Sequence, residues 1–176
     1  MRGFDAARRL LAGFMGGKYV HGAGVLPQAG ASAAAVGKRV ALIRDAFPGS
    51  EVHERVLLDS LAGAGVEVAG VIGGAAPNAP RGDVLRIASG LKELDPEAIV
   101  SFGGGSTIDA AKAAEVLRTL GGEIDLYFGT GMVAKALEAA SKRLTPHLAI
   151  MTAASSSAHL TKYSNITDVA TGQKKL

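Results

Sequence analysis

Three consecutive glycines follow an apolar segment of the chain and lead into a run of small residues with helical spacing. Residues 98–100 are typical of a buried strand, residues 103–105 of a tight turn, and residues 107–120 of a helix. A strand that passes through a glycine turn into a helix presents free backbone N–H groups at the positive end of the helix dipole. Because glycine has no Cβ, an anion can approach this turn closely. The segment therefore predicts a site for a phosphate-bearing ligand.

The same segment has a purely structural interpretation, in which Ser106 is a helix N-cap and Asp109 completes a capping box. Each glycine costs roughly 0.5–1 kcal/mol of chain entropy, so three in a row are a poor choice for capping alone. The phosphate hypothesis is favoured for that reason. The turn is not a Walker A loop, because Lys112 lies too far beyond the glycines and no Gly-Lys-Ser/Thr sequence occurs.

Composition excludes several classes of function. The chain has 176 residues, enough for one domain with a sizeable core, and a net charge of +3 with no basic stripe, which argues against nucleic acid as a partner. It has no cysteine, which excludes disulfides and thiolate metal sites and suits a cytoplasmic protein. No apolar run reaches the roughly 20 residues that span a bilayer, so we expect no membrane association. The apolar segment 10–15 is too short for a secretory signal.

Strand and helix patterns alternate along the chain with short connections. The patterns predict strands over residues 39–44, 66–72, 98–100 and 146–151, and helices over residues 51–61, 83–94, 107–120 and 133–144. This order predicts an α/β fold, a Rossmann-like, mostly parallel sheet flanked by helices, with ligands at the carboxyl ends of the strands. Residues 1–176 form one predicted domain, with residues 1–18 as a candidate loose N-terminal extension. Residues 163–176 are predicted to form a C-terminal β-hairpin that is cut short.

The glycine segment resembles a known family signature. Residues 103–112, Gly-Gly-Gly-Ser-Thr-Ile-Asp-Ala-Ala-Lys, are similar to the glycine-rich signature of the iron-containing (group III) alcohol dehydrogenases. Residues 22–26, 39–45, 76–80 and 166–174 resemble that family's early loop, first nucleotide strand, Pro-Asn-Pro loop and hairpin, in the expected order. The resemblance extends from Tyr19 onward.

The resemblance implies the dinucleotide-binding domain of a two-domain dehydrogenase. NAD is the implied cofactor, with NADP less favoured, and the implied substrate is a small alcohol, aldehyde or ketone. A helical domain absent from this chain would supply the ligands for Fe²⁺ or Zn²⁺, so the metal is expected only in the complete protein. We expect no catalytic residue and no metal ligand here, and therefore no activity from the chain alone. The apolar face left for the second domain favours self-association as a homo-oligomer.

The pyrophosphate and ribose contacts are assigned by the same resemblance. Gly104, Gly105 and Ser106 would hold the pyrophosphate through N–H and hydroxyl donors. Asp45 would accept hydrogen bonds from the adenosine ribose, which favours NAD because a carboxylate repels a 2′-phosphate. A turn or N-cap role for Asp45 is the alternative.

Four further residues are assigned to the nucleotide by the resemblance. Asn78 would lie beside the adenosine, Asp109 would face the nicotinamide side, and Thr152 and Lys174 would flank the nucleotide. The alternatives are a turn asparagine, a capping aspartate and a solvent-facing lysine. Lys112, one turn beyond Asp109, would pair with it or remain solvated.

One loop departs from the family pattern. Where the family has Thr-Thr-x-Gly-Thr-Gly-Ser-Glu, residues 152–159 are Thr-Ala-Ala-Ser-Ser-Ser-Ala-His. His159 then becomes a candidate for substrate contact or proton transfer, against a structural role. The departure also keeps two alternatives open, half of a dehydroquinate-synthase-like enzyme and a non-catalytic phosphate- or sugar-phosphate-binding module.

Overall fold

A computed structural model describes residues 2–176, without the side chains of residues 2, 3 and 17; Met1, part of the predicted extension, lies outside the described residues. The helices are α1 (Arg2–Met15), α2 (Ala29–Ala34), α3 (Ser50–Gly63), α4 (Arg81–Leu94), α5 (Gly105–Leu120) and α6 (Met132–Ala140). The strands are β1 (Arg39–Arg44), β2 (Glu67–Gly73), β3 (Ala98–Gly103), β4 (His147–Met151), β5 (Ile166–Asp168) and β6 (Gln173–Lys175). Short 3₁₀ turns cover Gly16–Lys18, Leu26–Gln28, Ile124–Tyr127 and Ala158–Leu160.

The first four strands form one parallel sheet in the order β2-β1-β3-β4. The predicted α/β fold with a parallel sheet is confirmed. The chain leaves β1 toward β2 on one side, and β3 then returns to the other side of β1. The carboxyl ends of β1 and β3 therefore lie side by side where the winding reverses, which is where open parallel sheets place their ligands.

Helices cover both faces of the sheet, so its central strands are apolar on both sides. Ala41 and Ile43 of β1 pack toward α4 and α5, and Val40 and Leu42 pack toward α2 and α3. All six residues of β3 are buried. The small residues of α5 allow close packing on the sheet, and Ala110, Ala111 and Ala114 are fully buried there.

Most element boundaries differ by a few residues from the sequence predictions; Gly103 belongs to β3 and Gly105 to α5, where a tight turn over residues 103–105 was predicted. Helices α1 and α2 were not predicted; α1 leaves Phe4, Leu10 and Phe14 exposed, and α2 consists only of alanine, glycine and serine, which carry little hydrophobic periodicity. Helix α6 ends at Ala140 rather than 144, since Ser141 takes a left-handed conformation with φ of 52°.

The C-terminal hairpin is formed within the chain. Strands β5 and β6 pair in antiparallel register, with Thr167 opposite Lys174, which confirms the predicted C-terminal hairpin. The hairpin also contacts the main fold, because the Thr167 N–H donates to the carbonyl of Ala79 at 3.1 Å. Among the helices of residues 2–176, none is long and apolar enough to cross a bilayer.

Candidate functional site

An open cleft of about 820 Å³ lies at the carboxyl ends of β1, β2 and β3. Its walls come from the segments that follow these strands and from the loop after β4. The residues that matter chemically here are Asp45, Gly74, Gly104, Gly105, Ser106 and Ser155. Four of the predicted site residues therefore line one cleft: Asp45, Gly104, Gly105 and Ser106.

The Asp45 carboxylate joins the end of β1 to the start of α5. Its Oδ2 accepts the Gly104 N–H at 2.8 Å, and its Oδ1 accepts the hydroxyl proton of Thr107. Two glycines make room for this carboxylate: a Cβ on Gly74 would collide with Oδ1, and a Cβ on Gly103 would lie 2.6 Å from Oδ2. Asp45 is neither a helix N-cap nor a plain turn residue, so that alternative is wrong.

Thr107 was not recognised from the sequence as a site residue. It is fully buried, it donates to Asp45, and it accepts the Ala75 N–H at 2.9 Å. Thr107 and Asp45 are 62 positions apart. Only the arrangement of the strands brings them together, and the one available signal was a hydroxyl residue in the first turn after the glycines.

Helix α5 begins without a side-chain cap. Gly104 occupies the N-cap position in an extended conformation, and the first N–H bonded back along the helix is that of Ile108, to the Gly104 carbonyl at 3.1 Å. The N–H groups of the preceding turn have no acceptor within the helix. Ser106 is the second residue of the helix and not its cap, so the capping-box interpretation is wrong.

The Ser106 hydroxyl is oriented by the Pro-Asn loop. Its Oγ accepts the Asn78 N–H at 2.9 Å, which leaves its own proton free to be donated. Asn78 has φ of 69°, a left-handed conformation that asparagine tolerates better than most residues. The turn role of Asn78 is thus observed, and contact of its side chain with an adenosine stays a prediction.

The loop after β4 closes over the start of α5. The Thr152 N–H donates to the Gly103 carbonyl at 3.0 Å, and a Cβ on Gly105 would lie 2.6 Å from Ser156 Oγ. Gly105 is required by this close approach rather than by its φ angle. Thr152 itself is exposed, so its position beside the glycine turn leaves a nucleotide contact open as a prediction.

Asp109 and Lys112 lie away from the residues that line the cleft. Asp109 is 8% exposed; its Oδ2 accepts the Asn165 N–H at 3.1 Å and its Oδ1 is 2.8 Å from Lys112 Nζ. Lys112 Nζ also donates to the carbonyls of Ala158 and Tyr163. The predicted Asp109–Lys112 pair is formed and the capping role of Asp109 is wrong. A role for Asp109 toward a nicotinamide stays a prediction.

Lys174 is exposed on β6, opposite Thr167, and does not line the cleft. Its role toward a nucleotide stays a prediction.

The histidines do not form a metal centre. Within the described part of the chain, no group of three or more His, Cys, Asp or Glu side chains could hold a metal ion. The carboxylate at the cleft already accepts two donors, and its other neighbours are N–H groups and hydroxyls, a donor set that suits an anion and not a divalent cation. The residues present therefore do not fit the metal that the family resemblance implies.

The pKa values of two histidines are lowered by their surroundings. Burial, with the positive charge of Lys112 as a smaller cause, lowers the pKa of His147 to about 4, and His147 Nε2 is 2.7 Å from Ser101 Oγ. The same two causes lower the pKa of His159, whose ring centroid lies 5.6 Å from that of Tyr19.

A protein-family comparison matches residues 16–176 to the model described as "Iron-containing alcohol dehydrogenase". Among curated proteins, the NAD-dependent methanol dehydrogenase of Bacillus methanolicus is 32% identical over 152 residues, covering 86% of this chain and 38% of that protein. The chain thus spans well under half the length of this relative.

Solved structures agree with the fold. A 1,3-propanediol oxidoreductase superposes with a TM-score of 0.73 at 24% identity, over 88% of this chain and 38% of that one. The sulfoacetaldehyde reductase of Bifidobacterium kashiwanohense, solved in complex with NAD⁺, superposes with a TM-score of 0.67 at 25% identity, over 88% and 39% of the two chains.

Proposed function

The chain belongs to the iron-containing alcohol dehydrogenase family, and we propose that it binds the adenosine diphosphate part of NAD in the cleft at the glycine turn. We propose further that the complete protein transfers hydride between nicotinamide and a small alcohol or carbonyl compound. The observation that carries the proposal is the uncapped first turn of α5, which opens into the same cleft as the Asp45 carboxylate.

The free N–H groups of the first turn of α5 would donate to the pyrophosphate. Gly105 and the Ser106 hydroxyl lie in the same turn, and the helix dipole adds to the attraction. No cationic side chain is needed at this point, because several oriented backbone donors together hold an anion well. This explains how the cleft could bind a dianionic ligand although the Asp45 carboxylate lies beside the turn and the Arg44 guanidinium, which also lines the cleft, is paired with Glu54 at 2.8 Å.

Asp45 would discriminate between nucleotides. Each carboxylate oxygen accepts one internal donor and keeps a further lone pair, so Asp45 can still accept from ribose hydroxyls at the cleft. A 2′-phosphate at the same position would meet its negative charge. We therefore propose NAD as the preferred cofactor.

When bound, NAD supplies the hydride-accepting nicotinamide ring. The residues of this chain would bind and orient the dinucleotide so that the ring extends out of the cleft. The metal ligands of the family have no counterpart among the residues described here, and no step is assigned to a metal in this domain.

Titration of the chain with NADH and with NADPH, followed by calorimetry, tests the proposal. We expect NADH to bind more tightly than NADPH, Gly105→Asp to abolish binding by placing a carboxylate at the pyrophosphate, and Asp45→Ala to reduce the preference for NADH. Gly82→Asp in the first turn of α4 and the exposed Asp59→Ala are matched controls that should leave binding unchanged. Tight binding of a sugar phosphate without NADH binding would instead support the phosphate-module alternative.

A further inference from the structure

We infer that Thr107 is a positioning residue that sets the cofactor preference of the cleft by holding the Asp45 carboxylate in one orientation. The inference rests on the proposed function, because it concerns the nucleotide that the cleft binds. Thr107 is fully buried and would not itself contact the nucleotide.

The direction of the hydrogen bonds around Thr107 follows from its partners. The Thr107 Oγ1 accepts the Ala75 N–H at 2.9 Å, so its lone pair is engaged and its proton is available. An ionised carboxylate has no proton to donate, so Thr107 donates its hydroxyl proton to Asp45 Oδ1. The two hydrogen bonds therefore have only one possible direction, from the Ala75 N–H to the Thr107 hydroxyl and from that hydroxyl to the Asp45 carboxylate.

The other carboxylate oxygen is fixed independently, because Oδ2 accepts the Gly104 N–H at 2.8 Å. Two donors on different oxygens determine the plane of the carboxylate, whereas one donor would allow it to rotate. Removal of the Thr107 hydroxyl would therefore leave Asp45 in place with only Oδ2 held by a hydrogen bond, so that the position of Oδ1 is no longer fixed.

The backbone around this pair leaves little space for another arrangement. A Cβ on Gly74 would lie 2.5 Å from Thr107 Oγ1, and a Cβ on Gly103 would lie 2.9 Å from Thr107 Cβ. Thr107 and Asp45 are thus packed directly against two glycine backbones, at the ends of β2 and β3. These close contacts hold the Asp45 carboxylate in one position. A fixed position matters because this carboxylate would accept from ribose hydroxyls and repel a 2′-phosphate.

The test measures the ratio of the dissociation constants for NADPH and NADH in the full chain. Thr107→Val has nearly the shape of threonine but no hydroxyl, and Thr107→Ser keeps the hydroxyl. We expect Thr107→Val to reduce the ratio about tenfold, the size typical of losing a hydrogen bond to a charged group. Thr107→Ser should stay close to wild type.

The same two substitutions in an Asp45→Ala background separate positioning from stability. If Thr107 acts through Asp45, Thr107→Val will not change the ratio further when the carboxylate is absent. A loss of thermal stability with equal weakening of both nucleotides would instead show that Thr107 is merely structural, and would overturn the inference while leaving the proposed function intact. Failure of the wild-type chain to bind either nucleotide would overturn the proposed function and this inference with it.

Discussion

The two ends of helix α5 differ in how their polar groups are paired. At its first turn the backbone donors have no side-chain cap and face an open cleft. Near its last turn, Glu115 is 3% exposed and accepts from Arg118 Nε at 2.7 Å, Thr119 Oγ1 at 2.8 Å and the Thr145 N–H at 2.7 Å. The helix then ends at Gly121, with φ of 71°.

The difference teaches how to separate a binding site from a structural network. A polar cluster that is paired within the chain and buried away from any cleft is not accessible to a ligand, and its contribution is to stability. Donors that are left open at a cleft contribute little to stability and are available to an anion. Substitutions at the two ends of α5 should therefore affect different measurements.

The largest effect is expected at the paired end of the helix. Glu115→Ala removes the acceptor of Arg118 Nε, the Thr119 hydroxyl and the Thr145 N–H, while Arg118 keeps Asp95 and the Thr145 hydroxyl as partners. We expect the loss of these three bonds to reduce the free energy of unfolding by about 4 kcal/mol. Chemical denaturation measures this, and Glu138→Ala on the exposed side of α6 is the matched control. A loss below about 1 kcal/mol would mean that the network is not the stabilising end of the helix.

The next effect is a pH dependence of stability from His147, which lies on β4 beside the paired end of α5. Because burial lowers its pKa to about 4, the folded chain binds fewer protons than the unfolded chain between that pH and about 6.5. Stability should therefore fall as the pH is lowered through this interval, by about 3 kcal/mol.

His147→Gln should remove this part of the pH dependence, since glutamine does not titrate and its amide can still bond to Ser101. The exposed His53→Gln should leave the dependence unchanged. Denaturation curves at several pH values between 4 and 7 compare the three chains. Equal slopes for all three would show that His147 binds its proton equally in the folded and unfolded chains, so that burial does not lower its pKa.

The smallest effect on stability, but a clear one on binding, is expected at the open end. Gly105→Ala places a Cβ 2.7 Å from Ser156 Cβ, so the loop after β4 must move away from the turn. We expect nucleotide affinity to fall about tenfold, equivalent to about 1.4 kcal/mol, while the unfolding free energy changes by less than about 1 kcal/mol because alanine favours the helix.

Two further variants sharpen this last prediction. Gly82→Ala meets no atom within 4 Å and should leave binding intact. The double variant Gly105→Ala, Ser156→Gly should recover affinity because the collision is removed. A large loss of stability in Gly105→Ala would show instead that the first turn of α5 contributes mainly to stability.

The sequence predicted the four sheet strands and the helices between them because their apolar residues repeat with a clear period. The pattern for β1 gave residues 39–44, and the observed strand is Arg39–Arg44. Helix α2 was missed because its alanine, glycine and serine residues carry little periodicity, whereas α1 was missed although apolar residues such as Leu10 and Phe14 recur in it with helical spacing. The C-terminal hairpin was predicted as well, although Gln173–Lys175 contains no apolar residue that would indicate pairing.

Local chemistry also predicted where the ligand site would lie. A triple glycine before a helix indicated a phosphate site by itself, and the parallel order of strands places that site at the carboxyl edge of the sheet. The role of Asp45, which lies at the same edge, was implied only by the family resemblance.

The tertiary structure alone decided which donors are open and which are paired. The capping box of Ser106 and Asp109 was plausible from spacing, yet Asp109 is turned toward Asn165 and Lys112, and Ser106 accepts from Asn78. Thr107 gained its partner from a strand 62 positions away. Local sequence fixes residue types and periods, but the pairing of a buried polar group depends on which distant segments pack against it.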